Sequence, residues 1–193
     1  RNVAIGAGGY GYAAGALAEL TTGNQNTAVG YRAGRNITTG QHNVAIGGNA
    51  LGTTQTAQNC VVVGNEAARK CTINNVTAVG SYALHELTTG GQNTALGDNT
   101  LRFVQTGQNN VAVGTNALYS VTSSDNVAVG RYANMLLTTG NQTSSFGTNA
   151  GYSTTTGTYN VNLGSASPSS ATANYQITLG NTGHNNLRCN DTS

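Results

Sequence analysis

The chain has 193 residues, only 7% of them charged, and a formal net charge of +2. An ordinary globular domain carries roughly 25% charged residues; here Gly, Thr, Asn and Ala take their place. No Lys/Arg run offers a basic patch to nucleic acid, and no apolar run approaches the ~20 residues that a membrane-spanning helix needs.

The chain begins at Arg1, already inside a repeat, and reads as a piece of something longer. Asn2-Val3-Ala4-Ile5-Gly6 is the first copy of a phrase that returns at Asn26–Gly30, Asn43–Gly47, Asn93–Gly97, Asn110–Gly114 and Asn126–Gly130. Looser copies end at Gly64, Gly80, Gly147, Gly164 and Gly180, and from Gly30 onward every interval between these glycines is 16 or 17 residues. Such a period marks a solenoid. After each phrase comes a small residue (Ala33, Ala50, Ala67, Ala83, Thr100, Ala117, Ala133, Ala150), then a polar turn built on Thr-Thr-Gly, as at Thr38-Thr39-Gly40 and Thr88-Thr89-Gly90.

Val44 and Ile46 lie two apart, so in a strand they share one face while Ala45 takes the other. Because branched apolar side chains favour burial, Val44, Ile46, Val111, Val113, Val127 and Val129 are expected inside. Ala45, Ala112 and Ala128 are then expected outside, with Ala83, Ala117, Ala133 and Ala150 lining a face for close approach between chains. Asn26, Asn43, Asn93, Asn110, Asn126 and Asn160 are expected to stack as an amide ladder, interrupted at Cys60 and Val76. No segment sustains a 3.6-residue apolar period. The fold class is therefore all-β: a parallel β-roll or solenoid of ~17-residue coils.

Residues 1–180 form one β-roll repeat domain, with an irregular insertion at about 7–13 and a frayed coil at about 165–175. Pro168 lies in that frayed stretch, where a residue without an N–H cannot serve a central ladder. Residues 181–193 read as an exit segment toward a missing C-terminal assembly domain. So thin a core points to more than one chain.

The phrase N-[VT]-A-[VI]-G resembles the head repeats of trimeric autotransporter adhesins. The longer stretch Gly15-Ala16-Leu17-Ala18-Glu19-Leu20-Thr21-Thr22-Gly23-Asn24-Gln25-Asn26-Thr27-Ala28-Val29-Gly30 is similar to repeats in bacteriophage tail fibres. Ile177–Asn181 followed by Leu187-Arg188-Cys189 is similar to the segment preceding an intramolecular chaperone in such fibres. The resemblance implies a parallel homotrimer. It also implies a structural, receptor-contacting fibre module on a virion or phage-like particle, assembled in the host cytoplasm and meeting a bacterial polysaccharide or outer-membrane protein. The head of a bacterial surface adhesin is the alternative, and an ice-binding solenoid a third reading.

Chemical motifs are sparse. Gly6-Ala7-Gly8-Gly9-Tyr10-Gly11 fits GxGxxG but lacks the helix and acidic residue of a dinucleotide site. Glu19 and Glu86 share a repeat position four coils, about 19 Å, apart, too far to act on one bond. His42, His85 and His184 have no metal spacing. Cys60, Cys71 and Cys189 show no CxxC pattern and are read as free thiols. No enzyme, cofactor or metal is expected. The candidate receptor contacts are Tyr31, Arg32, Tyr82, Arg131 and Tyr132, because Tyr beside Arg can stack on and hydrogen-bond a sugar.

Overall fold

The computed structural model describes residues 1–6, 15–165 and 171–180. Each glycine-terminated phrase forms a three-residue strand: β1 (Val3–Ile5), β2 (Thr27–Val29), β3 (Val44–Ile46), β4 (Val61–Val63), β5 (Thr77–Val79), β6 (Thr94–Leu96), β7 (Val111–Val113), β8 (Val127–Val129), β9 (Ser144–Phe146), β10 (Val161–Leu163) and β11 (Ile177–Leu179). They pair in parallel and in chain order as one eleven-stranded sheet. Equivalent positions lie opposite each other, as in Ala28, Ala45, Val62 and Ala78. No described residue is helical. Ten steps of ~4.8 Å give a height of roughly 48 Å. The insertion at 7–13 and the exit segment 181–193 lie outside the described residues. Of the coil expected to fray, 166–170 lie outside the described residues; the Ala171 carbonyl accepts from Thr155 N–H at 2.8 Å, and β10 pairs with β11.

The other walls of each coil are turns, yet they carry the same axial hydrogen bonds. Leu51 N–H donates to Ala67 O at 3.0 Å, and the N–H groups of Thr38, Thr39 and Gly40 converge on Gln55 O at 2.9, 3.1 and 3.2 Å. Thr38 Oγ1 and Thr88 Oγ1 add bonds of 3.2 and 3.0 Å to Gln55 O and Gln105 O. Thr-Thr-Gly thus bends the chain and links it to the next coil without forming a hairpin.

The strand faces are the reverse of the expectation from side-chain size. Ala45 and Ala112 are 1% and 0% exposed, whereas Ile46 and Val111 are 37% and 36% exposed. Val44, Val113, Val127 and Val129 are half-buried, while Ala128, Ala83, Ala117, Ala133 and Ala150 are fully buried. The reason is volume. The interior already holds a leucine row (Leu51, Leu84, Leu101, Leu118) and a second row with Ile37, Cys71, Leu87, Val104, Val121 and Leu137. Facing two such rows in a close-packed interior, the strand has room for a methyl group. Where β4 puts Val62 inside, the neighbouring position of the leucine row shrinks to Ala68, and both are fully buried.

The asparagines form the expected ladder. Asn26 Oδ1 accepts from the backbone N–H of Asn43 at 3.1 Å, and Asn43 Oδ1 accepts from Cys60 N–H at 3.1 Å. Asn43 Nδ2 donates to Ala57 O at 2.7 Å. The ladder resumes at Asn93, whose Oδ1 accepts from Asn110 N–H at 2.9 Å, and continues to Asn126. Each side chain therefore satisfies a buried backbone donor and a buried carbonyl that no strand partner serves.

Two backbone conformations turn the coil. The closing glycines take φ values that side chains rarely adopt, such as 121° at Gly114, where a Cβ would lie 2.7 Å from the carbonyl of Gly130. The leucine row is left-handed, with φ of 51°, 52°, 51° and 48° at Leu51, Leu84, Leu101 and Leu118. That conformation costs about 1–2 kcal/mol per residue, and burying the leucine side chain offsets it by about 1.5–3 kcal/mol.

Ala112→Leu is expected to overpack the interior and destabilise the roll by about 1–3 kcal/mol. Val111→Thr, which copies the residue found at Thr77 and Thr94, should shift stability by less than about 0.5 kcal/mol. Urea unfolding of the two variants checks this ordering; the reverse order would place the valines inside.

Candidate functional site

Counted from the closing glycine of each strand, the residues one, two, five and six places on form a second outward wall. It is held in register by bonds such as Asn49 N–H to Tyr31 O at 2.8 Å and Glu86 N–H to Arg102 O at 3.1 Å. This wall carries the aromatic and charged side chains. Tyr31 is exposed, and the guanidinium carbon of Arg32 lies 4.9 Å from its ring centroid. Arg131 sits 4.5 Å from the Tyr132 centroid and donates to its hydroxyl at 3.3 Å, which lowers the Tyr132 pKa below the usual phenol value. Tyr82 lies between His85, at 5.6 Å between ring centroids, and Arg102, whose guanidinium carbon is 4.6 Å from the ring. The five candidates thus share a wall but not a pocket: Gly30, Gly80 and Gly130 are three coils apart, about 14 Å each.

Sequence reading passed over several members of this wall. Arg35, Arg69 and Arg102 follow Gly30, Gly64 and Gly97 by the same five places. Arg102 also lies 5.3 Å from the Phe103 ring, which meets Tyr119 edge-on at 5.1 Å. Aligning the chain on its glycines brings these residues into columns, and that was the available signal.

An ion-pair network runs along the same wall. Glu66 accepts from Arg69 Nη1 at 2.9 Å and Asn49 Nδ2 at 2.8 Å, and Glu86 accepts from Lys70 Nζ at 2.6 Å. The Lys70 hydrogen bond is the main cause holding the Glu86 carboxyl below its ordinary range. His85 lies between the two acids, with Nδ1 2.8 Å from Glu86 Oε1 and Nε2 3.3 Å from Glu66 Oε2. A neutral imidazole has one N–H and bonds one of them; an imidazolium serves both. Carboxylates engage both ring nitrogens, and among the described residues no hydroxyl or thiol is bonded to them. Glu19 stands 3.7 Å from Arg35.

Among the described residues no group of three or more His, Cys, Asp or Glu is arranged to hold a metal ion. His184 and Cys189 lie outside them. Cys60 and Cys71 are free and buried, and both thiols donate to Ile73 O, at 3.5 and 3.6 Å. Burial raises both pKa values, Cys71 to about 12, so neither presents a reactive thiolate near neutrality. The threonine column also has its hydroxyls engaged: Thr21, Thr38, Thr72, Thr88, Thr122 and Thr138 each donate to the next coil.

No protein-family model matches the chain, and comparison with curated proteins and with solved structures returned no match.

Arg102→Ala removes two cation–π contacts, each worth about 0.5–1 kcal/mol at an exposed site, so the roll should lose about 1–2 kcal/mol in urea unfolding. Arg102→Lys should recover part of that loss, and an Arg102→Ala variant as stable as the parent would show that stacking on Tyr82 and Phe103 and the bond to Asn99 Oδ1 contribute nothing.

Proposed function

We propose that this chain is a structural and receptor-contacting module of a tail fibre, on a phage or phage-like particle, working as a parallel homotrimer at the host cell surface. One observation carries the reading. The outward positions of all eleven strands hold no charged residue, and the position before each closing glycine is apolar throughout, from Ile5 through Leu96 and Phe146 to Leu179. Ile46, Leu96, Phe146 and Leu163 are among the exposed large side chains. The strip runs roughly 48 Å along the roll, and contiguous exposed apolar surface of this kind is often functional.

A second copy of this chain is the natural cover. The strip repeats every coil, so a copy laid parallel and in register meets the same spacing along its whole length. The resemblance to phage fibres and adhesin heads supplies the number three. Three chains joined through their strand faces leave the tyrosine and arginine wall outside, in three copies, so that weak single contacts with a surface receptor add into avidity.

Sedimentation at micromolar concentration should give three chain masses. Val113→Asp places a charge in the strip and should yield single chains that keep their β circular dichroism, since Val113 is not an interior residue. A wild-type chain that sediments as a stable monomer contradicts the assembly and the fibre role together.

A further inference from the structure

The receptor-contacting wall carries a notch at Gly52 among the described residues. Arg35 and Arg69 occupy equivalent positions two coils apart, about 10 Å, and the coil between them has Gly52 at that place. The missing side chain leaves a notch of about 130 Å³ lined by Arg32, Arg35, Asn49, Thr53 and Arg69. Other coils put Arg, His, Tyr or Met at this position, so the backbone does not demand glycine there; φ at Gly52 is outside the left-handed range.

Three guanidinium groups surround one notch, and carboxylates engage only two of them. Arg69 is bonded to Glu66 at 2.9 Å, and Arg35 is 3.7 Å from Glu19, an exposed and loose contact. Arg32 has no carboxylate partner among the described residues. Among the described residues the Nε atoms of Arg32 and Arg35 are buried without a hydrogen-bond acceptor. A buried donor left unpaired costs about 1–3 kcal/mol, and both of these sit on residues lining the same notch.

We infer that the notch binds a single anionic group, a carboxylate or phosphate, carried by an acidic saccharide, with Arg32 and Arg35 as its ligands and exposed Tyr31 beside it as the aromatic surface for the sugar ring. Arginine forks match such oxygens in bidentate fashion. Asn49 Nδ2 already donates to Glu66 and Thr53 Oγ1 to Arg69 O, which leaves Asn49 Oδ1 and the Thr53 oxygen as acceptors for sugar hydroxyls. The row continues at Arg102, two coils beyond Arg69, so an extended acidic polymer lying along the roll meets a cation every second coil. Nucleic acid fits less well, because a net charge of +2 gives little of the broad positive field that duplex or single strands require. The inference rests on the receptor-contacting reading and names the class of receptor.

The test is a titration of the whole chain followed through its arginine Nε–H resonances. The probes are inorganic phosphate, a glucuronate-containing oligosaccharide, a sugar phosphate, a carboxyl-reduced neutral oligosaccharide and a short DNA strand. The Arg32 and Arg35 signals should move with an acidic saccharide and not with the neutral one. Binding should fall at least tenfold in Arg35→Gln, and likewise in Gly52→Gln, which fills the notch while keeping every arginine. Movement with the carboxylate or with the sugar phosphate alone identifies which acid is carried. Equal response to the neutral sugar, unchanged binding in both variants, tighter binding of DNA than of any saccharide, or no response to any anion overturns the inference. The titration does not depend on chain number, so its failure is distinct from a monomeric sedimentation result.

Discussion

A coil of 16 or 17 residues encloses an interior about one side chain across, and nearly every other feature follows from filling that space. Two rows of bulky residues, represented by Leu84 and Leu87, already meet there from adjacent walls. The strand facing them is left with alanine, and the alternation of the strand then forces its valines, isoleucines and leucines outward. The adjustments confirm that volume is the limit. Val62 inside is accompanied by Ala68, and at the C-terminal end Gly151 makes room for Ser145, Asn134 and Asn162, whose polar atoms crowd the place where its Cβ would stand.

That C-terminal end is also the least satisfied part of the interior. Ser145 Oγ donates to Asn134 Oδ1 at 2.7 Å and accepts from Asn162 Nδ2 at 3.0 Å. Asn134 Nδ2, Thr154 Oγ1 and Asn162 Oδ1 are buried without partners among the described residues. Apolar rows give way there to a polar core whose hydrogen bonds do not close, so the last coils gain less from folding than the middle ones. The middle is held by leucines and by ion pairs that cross coils, such as Lys70 to Glu86, with the asparagine ladder on either side of it.

The period, the parallel stacking, the turn at Thr-Thr-Gly and the ladder were legible in the sequence because each is a repeated local signal. The facing of the strand was not, since alternation says that Val44 and Ile46 share a side without saying which. The deciding cue was present: Asn43 and Ala45 have the same parity, so an asparagine ladder inside carries the alanine inside with it. Hydrophobicity of the branched residues argued the other way, and in a solenoid whose interior is already full it loses. Tyr31, Arg32, Tyr82, Arg131 and Tyr132 were legible as neighbours in sequence. The notch was legible only by stacking the coils on their closing glycines, which puts Arg35, Gly52 and Arg69 in one column five places on.

Cysteine scanning across β8 tests most directly whether the small side chain faces in and the branched ones face a partner. Val127→Cys, Ala128→Cys and Val129→Cys are each exposed to a thiol reagent, first on assembled chains and then on chains dissociated by Val113→Asp. The expected pattern is labelling of 127 and 129 in dissociated chains only, with 128 protected in both. Labelling of position 128, with 127 and 129 protected in dissociated chains, would contradict it.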